Sequence, residues 1–406
     1  MNSLNYSGSL DEKILNMKSL LVKIRRHIHA NPETGLNQPA TVLYLAKQFE
    51  DMDVGIKMGD DHVGMVVDIK GDLEGPTIAF RADMDALEIE ETDNPDHVAN
   101  KLGFRSTIAN KMHACGHDVH TAILFGLGKY CYENRKQLKG TIRLLFQPGE
   151  EGYNGAKRMI EKGYLDNVAF VFALHCYPPL YSGVLAMRKG GIFSAIDKFN
   201  VMVSGQGGHS SAPEKASDQT LAVCRVINNL QSIVSRNISA LDSAVLSVCY
   251  VNAGNKEAIT VIPEKVEFNG TVRTFNSKVQ KKIKNDFVNI CTASVKTVSE
   301  KCNVNIDYTE LYPVTKNDDH VVDKIIPFLS KRLGEQNLIV NCKPLLGSED
   351  FSCMLQKVPG VMMLLGTTPS QNDILTQPYF HTPDFDIDEN SILVGVQVLS
   401  DIALKI

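Results

Sequence analysis

The chain has 406 residues, of which 43% are hydrophobic and 22% are charged, and its 42 basic and 47 acidic residues give a formal net charge of −5. The length predicts two or three domains, while the composition excludes disordered, collagen-like and low-complexity proteins. The slight acidity provides no electrostatic basis for binding nucleic acid or an anionic membrane.

The nine cysteines, an odd number, argue against a disulfide framework and fit a reducing compartment. The first ten residues lack the pattern of a secretory signal, and no run of 18 apolar residues occurs in the chain. We therefore expect a soluble, cytoplasmic protein without a membrane span.

Helical and strand-like patterns alternate over the first 190 residues. Apolar spacing predicts helices over 10–29 and 39–52, and a third over 119–132 with Asp118 as its N-cap. Strand-like apolar runs cover 65–69, 77–81, 141–146 and 168–174. Because strands that alternate with helices pair in parallel, this part predicts an α/β domain whose sheet is covered by helices on both faces.

The pattern changes between residues 193 and 312. A strand, a helix, two strands, a helix and a strand are predicted there in turn, over 199–203, 218–235, 244–251, 264–274, 277–300 and 303–311. This order is typical of a ferredoxin-like α+β unit. After residue 313 the first pattern resumes, with a helix over 319–333, a strand over 361–365 and a helix over 389–404. We therefore predict one α/β domain in two pieces, 1–192 and 313–406, with the domain 193–312 inserted between them.

The densest group of metal-binding residue types is the run KMHACGHDVH, residues 111–120. Cys115 and His117, two residues apart in an irregular segment, can both turn toward one ion, and thiolate and imidazole suit zinc and neighbouring transition metals. The alternative is a loop that leads into a helix and whose histidines only make hydrogen bonds. We keep that interpretation for His113 and His120.

Further polar groups follow the predicted strands. They are Asp83, Glu150, Glu151, His175 and, in a late loop, His381. Because ligand sites in open α/β sheets lie beyond the carboxyl ends of the strands, we expect these groups to meet at one edge. Of two adjacent glutamates, one can hold a metal while the other takes a proton from a metal-bound water. The alternative is an ordinary surface pair.

Six runs of sequence, in this combination and order, carry a family resemblance. They are RADMDAL (81–87), KMHACGHDVHTA (111–122), FQPGEEGYNGA (146–156), GGHSSAP (207–213), GTVRTF (270–275) and GSEDFS (347–352). The chain resembles the dinuclear metallo-amidohydrolases that include aminoacylases, glutamate carboxypeptidase and succinyl-diaminopimelate desuccinylase. It is more closely similar to the branch of hippurate hydrolases, N-acetyl-diaminopimelate deacetylases and plant auxin-conjugate hydrolases, over nearly its whole length.

The resemblance implies a role for individual residues in the α/β domain. The implied metal ligands are Cys115, His117, Glu151, His175 and His381. Glu150 is implied as the general base, and Asp83 as a residue that orients a ligand. Arg81 stands where other branches carry a histidine ligand, and His117 compensates for it.

The resemblance also implies that the inserted domain is a lid that often dimerises. His209 would reach the partner subunit's site and donate to the oxyanion, and Arg273 would bind the substrate's carboxylate. From the residues alone, an exposed loop histidine and a solvent-facing strand arginine are the alternatives. Thr260 stands where the family usually has Asn; it can still donate one hydrogen bond, but the usual contact to substrate is in doubt.

The expected function is metal-dependent hydrolysis of the amide bond in N-acyl amino acids or small conjugates. We expect two divalent ions per subunit (zinc, manganese, cobalt or nickel) and a homodimer formed through the inserted domain. A metallo-carboxypeptidase acting on short peptides is one alternative, and a non-catalytic metal-binding protein on the same fold is another. A third has Cys115 as nucleophile and His117 as its base, which would leave the glutamate pair without a role.

Overall fold

The computed structural model describes residues 10–58 and 64–406. The sequence predicts no secretory signal in the first ten residues; residues 1–9 of these lie outside the described residues. Two compact units are present: the first comprises the described residues up to Gly190 together with Lys316–Lys343 and Asp350–Ile406, and the second comprises Gly191–Thr315 and Pro344–Glu349. Among the described helices, none has the length and apolar character needed to cross a membrane.

The strands and helices are numbered in chain order. The strands are β1 Gly55–Met58, β2 Met65–Lys70, β3 Leu73–Asp83, β4 Lys139–Gln147, β5 Val168–Tyr181, β6 Leu185–Met187, β7 Gly190–Phe193, β8 Ala195–Ser204, β9 Gly208–His209, β10 Ala244–Ala253, β11 Val261–Ile262, β12 Lys265–Thr274, β13 Asn303–Tyr312, β14 Thr315–Asn317, β15 Leu338–Val340 and β16 Gly360–Thr368. The α-helices are α1 Glu12–Asn16, α2 Lys18–Ala30, α3 Pro39–Gln48, α4 Val98–Leu102, α5 His117–Glu133, α6 Gly155–Glu161, α7 Gln219–Ser232, α8 Ser277–Lys296, α9 Asp319–Leu333, α10 Phe351–Lys357 and α11 Asn390–Lys405.

The first unit is built on an eight-stranded sheet with the order β1-β2-β4-β3-β5-β16-β6-β15. The central pairs β4–β3, β3–β5 and β5–β16 are parallel, as is β6–β15, and the remaining pairs are antiparallel. Every residue of β16 is buried. Because successive side chains point to opposite faces of a sheet, both faces are covered at this strand. The predicted α/β fold is confirmed.

The second unit contains a four-stranded antiparallel sheet with the order β10-β12-β8-β13. Helices α7 and α8 pack against each other and against the sheet, and Phe199, Phe268 and Phe287 are buried in their shared core. The order of elements and of strands is that of a ferredoxin-like unit, which confirms this part of the predicted fold. The predicted insertion 193–312 lies inside this unit, which also includes residues 344–349.

Several predicted boundaries were wrong. The helix predicted over 10–29 is divided at Met17 into α1 and α2, and the helix predicted over 39–52 ends at Gln48. Helix α8 ends at Lys296, four residues earlier than predicted, whereas α7 ends at Ser232 and continues as a π-helical turn over Ile233–Asn237, past the predicted end at 235. Periodicity alone therefore does not fix where a helix is interrupted or where it ends.

Two corrections concern the site directly. Asp118 is not an N-cap, because Gly116 takes that position and Asp118 lies in the first turn of α5, where it accepts a hydrogen bond from Arg25. His175 does not follow the end of its strand. Pairing with β16 continues through the pair Leu364 with His175 and on to Tyr181, so His175 lies within β5.

Candidate active site

The carboxyl ends of β3 and β4 meet in register, since Asp83 on β3 pairs with Gln147 on β4. The segment with Glu150 and Glu151 begins just beyond Gln147, and β5, which carries His175, lies on the other side of β3. Parallel pairing therefore brings three separate stretches of the chain to one edge, as expected from the sequence.

The turn at Gly116 brings Cys115 and His117 to this edge. Gly116 has a φ of 84°, and a Cβ atom there would lie 3.2 Å from the Cβ and Sγ atoms of Cys176. A glycine is required both by the left-handed backbone and by this close approach. Cys115 is 8% exposed, and His117, the first residue of α5, is completely buried.

All five predicted ligands and Glu150 form one cluster of overlapping triads. Within each triad, one potential ligand atom per residue lies within 4.8 Å of the others; the triads are Cys115–His117–His175, Cys115–Glu151–His381 and His117–Glu150–Glu151. The Cys115 Sγ atom lies 3.6 Å from His175 Nε2, and His381 Nε2 lies 3.1 Å from Glu151 Oε1. Their proximity is a property of the fold, whereas their assignment as ligands remains a prediction.

Hydrogen bonds fix the orientation of two of these imidazoles. The Nδ1 atom of His175 donates to the carbonyl oxygen of Cys176 at 2.7 Å, which leaves its Nε2 atom facing Cys115. The Nδ1 atom of His117 donates to the carbonyl oxygen of Asp85 at 2.8 Å. The Nε2 atom of His117 is buried and has no hydrogen-bond partner within the described ranges. Both rings thus present Nε2 to the cluster, which is how a second partner orients a metal-binding histidine.

Asp85 is a site residue to which the sequence assigned no role. Its carboxylate accepts the backbone N–H of Glu150 at 3.0 Å and of Glu151 at 2.9 Å, while its carbonyl oxygen accepts from His117. One buried residue therefore positions the predicted base and two predicted ligands. The sequence signal was the second acidic residue of the run RADMD, directly after a strand.

Asp83 links the cluster to Arg81 and His120 behind it. Its Oδ1 atom accepts from His120 Nδ1 at 2.6 Å, and its Oδ2 atom accepts from Arg81 at 2.8 Å and lies 3.5 Å from His117 Nε2. His120 Nε2 in turn accepts the backbone N–H of Cys176, so both ring nitrogens of His120 make hydrogen bonds, as its sequence-based interpretation requires. Arg81 is engaged with buried carboxylates.

For His113, the expectation of hydrogen bonds was wrong. It is 1% exposed, and in the part of the chain that the structure describes neither ring nitrogen has a hydrogen-bond partner. Burial lowers the pKa of His113 to about 3, so that the ring is neutral at physiological pH.

The electrostatics of the cluster favour a bound cation. Burial raises the pKa of the Cys115 thiol well above its usual value, and Glu151 and Glu150 raise it further. Burial alone would lower the pKa of His117, but Asp83 and Asp85 raise it to about 10, whereas burial lowers that of His175 to about 3. Several acidic groups thus share a buried space, and a cation would balance them. Thiolate, imidazole and carboxylate together are a donor set that fits zinc and neighbouring divalent ions.

The three predicted substrate-binding residues lie in the second unit. His209 on β9 pairs with Val261 on β11, and the N–H of Ser210 donates to the carbonyl oxygen of Thr260 at 2.8 Å, so His209 and Thr260 are neighbours. His209 is exposed, and its Nδ1 atom accepts the N–H of Ser211 at 3.1 Å.

Arg273 lies on β12. Its Nη1 atom donates to the carbonyl oxygen of Leu346 at 2.9 Å and to Ser348 Oγ at 3.2 Å. These contacts tie Leu346 and Ser348 to the second unit.

Comparisons with known proteins cover almost the whole chain. The model of Peptidase family M20/M25/M40 matches residues 79–405, a range that contains every residue of the cluster. The thermostable carboxypeptidase 2 of Saccharolobus solfataricus is 34% identical over 98% of both chains. The N-acetylcysteine deacetylase of Bacillus subtilis is 32% identical over 95% of this chain and 96% of its own. The crystal structure of the YXEP protein of Bacillus subtilis, described as a dinuclear metal-binding peptidase, has a TM-score of 0.80 at 27% identity, covering 96% of this chain and 98% of its own.

Proposed function

The chain belongs to Peptidase family M20/M25/M40, and on that premise we propose that it is a metal-dependent hydrolase that cleaves the amide bond of N-acyl amino acids or small amino-acid conjugates. The observation that carries the proposal is the cluster, buried except at Glu151 and His381, in which Glu150 adjoins five residues able to bind metal. The deacetylase among the relatives supports the substrate class. The proposed setting is the cytoplasm, with a small molecule as partner.

The proposed metal site uses the five clustered side chains. Cys115, His117, Glu151, His175 and His381 would hold two divalent ions, which can be zinc, manganese, cobalt or nickel. When bound, such ions polarise a carbonyl group and lower the pKa of water. Asp85 would hold the glutamate pair in place through the backbone N–H groups of Glu150 and Glu151. Asp83, itself fixed by hydrogen bonds from Arg81 and His120, would orient His117, whose Nε2 atom lies 3.5 Å from its carboxylate.

Glu150 is the proposed general base. It is 7% exposed, and its Oε1 atom lies 3.4 Å from the backbone nitrogen of Asp350, while its own N–H is held by Asp85. From this position its carboxylate takes a proton from the attacking water and delivers it to the nitrogen of the leaving amine.

The second unit supplies the proposed substrate contacts. Because the Nδ1 atom of His209 accepts from Ser211, its proton is placed on Nε2, which can donate to the oxyanion. Arg273 uses Nη1 for the 344–349 segment, and the planar guanidinium suits the substrate's carboxylate. Thr260 is the remaining proposed contact. We also propose that this unit forms a homodimer, as the family resemblance implies.

Glu150→Gln is the direct test of the base assignment. The variant keeps the shape and the hydrogen-bonded backbone but loses the proton acceptor, so we expect hydrolysis of N-acetyl amino acids to fall by about three orders of magnitude. Metal content, measured by elemental analysis, should stay at the wild-type value. Glu161→Gln, at an exposed position of α6, is the matched control and should change neither quantity. Near-normal turnover in Glu150→Gln would contradict the assignment.

A carboxypeptidase acting on short peptides is the second candidate, favoured by the similarity to the thermostable carboxypeptidase 2. A comparison of kcat/KM for N-acyl amino acids and for dipeptides with the same C-terminal residue decides between the two. A cysteine nucleophile is disfavoured, because it would leave the clustered Glu150 and Glu151 without a role.

A further inference from the structure

Three aromatic side chains adjoin the metal-ligand cluster in the first unit and have no task in the proposed mechanism. They are Tyr177, Tyr379 and Phe380, and we call them the aromatic shelf. Tyr177 follows His175 by two residues on β5, so both side chains point to the same face of the sheet. The backbone of β5 therefore places Tyr177 next to the cluster.

The other two residues of the shelf are fixed by the segment that carries His381. This residue has a left-handed backbone with a φ of 60°, and its N–H donates to the carbonyl oxygen of Ala114 at 2.9 Å. Tyr379 and Phe380 immediately precede it and are thereby held beside Cys115 and its loop. A non-glycine residue with this φ is uncommon, and such conformations are concentrated at functional sites.

Ring contacts join the shelf into one continuous surface. The ring centroid of Phe380 lies 5.2 Å from that of His175 at an interplanar angle of 86°, 4.7 Å from that of Tyr379 at 61°, and 6.4 Å from that of Tyr177. The buried ring of Phe385 lies 5.9 Å behind Phe380 and supports it. These separations are those of edge-to-face and offset aromatic pairs, which give the shelf a fixed shape.

The shelf is packed from behind but open in front. Tyr379 is 49% exposed, and Phe380 and Tyr177 are half-buried. Ligand sites combine apolar and aromatic walls with a few polar groups that fix orientation, and here the polar groups are those of the adjoining cluster. A fixed, partly exposed aromatic surface next to a reaction centre provides a place for a flat apolar group.

We propose that the aromatic shelf binds an aromatic ring in the acyl half of the substrate and so sets a preference for aromatic over short aliphatic acyl groups. This inference rests on the proposed function, in which Arg273 of the second unit takes the carboxylate of the amino-acid half. The acyl carbonyl is attacked at the cluster of the first unit. Its substituent can then lie against the shelf, because Phe380 contacts His175 and the next residue, His381, is bonded to the loop of Cys115.

The test compares the ratio of kcat/KM for N-phenylacetyl to N-acetyl derivatives of one amino acid, because a general loss of activity cancels in the ratio. In Phe380→Leu and in Tyr379→Leu we expect the ratio to fall about tenfold, the scale of one lost aromatic contact. Tyr379→Phe keeps the ring and should keep the wild-type ratio. Tyr132→Leu, at the far end of α5, is the control outside the site and should also keep it.

Two results would overturn the assignment. One is an unchanged ratio in both leucine variants. The other is a preference for an aromatic group in the amino-acid side chain and not in the acyl group. A comparison of kcat/KM for N-acetylphenylalanine and N-acetylalanine measures it.

Binding of phenylacetate and of acetate to the metal-loaded protein, measured by calorimetry, gives a readout that needs no turnover. Phenylacetate should bind more tightly than acetate, and Phe380→Leu should weaken phenylacetate alone. If no amide is hydrolysed, the proposed function fails, and the calorimetric comparison still supports or overturns the shelf.

Discussion

At the scale of single residues, Asp85 connects the most parts of the site. Its two carboxylate oxygens take the N–H groups of Glu150 and Glu151, and its carbonyl oxygen orients His117. An asparagine can accept only one of those N–H groups and points its own NH₂ at the other. The position of the glutamate pair therefore depends on a residue that touches neither metal nor substrate in the proposed mechanism.

We predict that Asp85→Asn lowers activity or metal affinity by about 10-fold to 100-fold, the range seen for partners of metal ligands. Steady-state kinetics at saturating metal, together with a metal titration, would separate the two effects. Asp93→Asn changes an exposed aspartate in the same stretch of chain and should behave as wild type. An Asp85→Asn variant with normal kinetics and normal metal affinity would show that these hydrogen bonds do not matter.

The candidate ligands could be found from the sequence because their residue types and spacing are distinctive. The role of Asp85 could not be found in this way, and neither could the hydrogen bonds that orient the rings of His117 and His175. These contacts involve backbone atoms that only the fold brings together. The carbonyl oxygen of Cys176 and the N–H of Glu150 have no signature in the sequence. His113 illustrates the reverse, since the motif suggested hydrogen bonds that its buried environment does not provide.

At the scale of elements, a buried ionic network joins α2 to the start of α5. Asp118 accepts from Arg25 Nε at 2.8 Å and from His29 Nδ1 at 2.9 Å, and His29 Nε2 lies 3.1 Å from Glu91 Oε1. Burial alone would raise the pKa of Asp118, but Arg25 and His29 lower it well below its usual value. The network fixes the helix whose first residue is His117.

We predict that Asp118→Asn destabilises the protein by about 3 kcal/mol, because removing one member leaves a buried charge without its partner. The free energy of unfolding from urea titration measures this. Asp51→Asn, at an exposed turn after α3, is the control and should change it by less than about 0.5 kcal/mol. An equally small change in the free energy of unfolding of Asp118→Asn would contradict the prediction. It would mean that Glu389 and Asp386 balance the charge of Arg25 without Asp118.

Long elements with clear end signals could be predicted closely, and short ones could not. Helix α9 was predicted over 319–333 and spans Asp319–Leu333, since Asp318 caps its start and Gly334 follows its end. Strands β1, β6 and β15 have only three or four residues, too few to show an alternating pattern. The length of β5 depends on its partner β16, which lies far away in the sequence.

At the scale of the whole molecule, the two units carry different parts of the proposed mechanism. The first holds the cluster with Glu150, and the second holds His209, Thr260 and Arg273. The sequence predicts an inserted domain over 193–312, and it does not predict that residues 344–349 join the second unit. That association depends on contacts such as the bond from Ser194 N–H to the carbonyl oxygen of Gly347, which span about 150 residues of chain.

If His209 acts on the site of a partner subunit, two inactive variants should complement each other. We predict that a mixture of Glu150→Gln and His209→Ala homodimers regains activity once subunits exchange, since each heterodimer then carries one complete site. Activity of the mixture and the fraction of heterodimer, followed by native mass spectrometry, are the measurements. Confirmed exchange without recovery would place His209 in the site of its own chain or outside catalysis.

We propose above all that this cluster is a dinuclear metal centre that hydrolyses amides. Its most direct test is a titration of the chelator-treated protein with zinc or manganese while hydrolysis of an N-acyl amino acid is followed. We predict that chelation abolishes activity and that activity returns in proportion to added metal, reaching its maximum at two ions per chain. Hydrolysis that survives complete removal of metal, and that is lost in Cys115→Ser, would contradict the claim and favour a cysteine nucleophile.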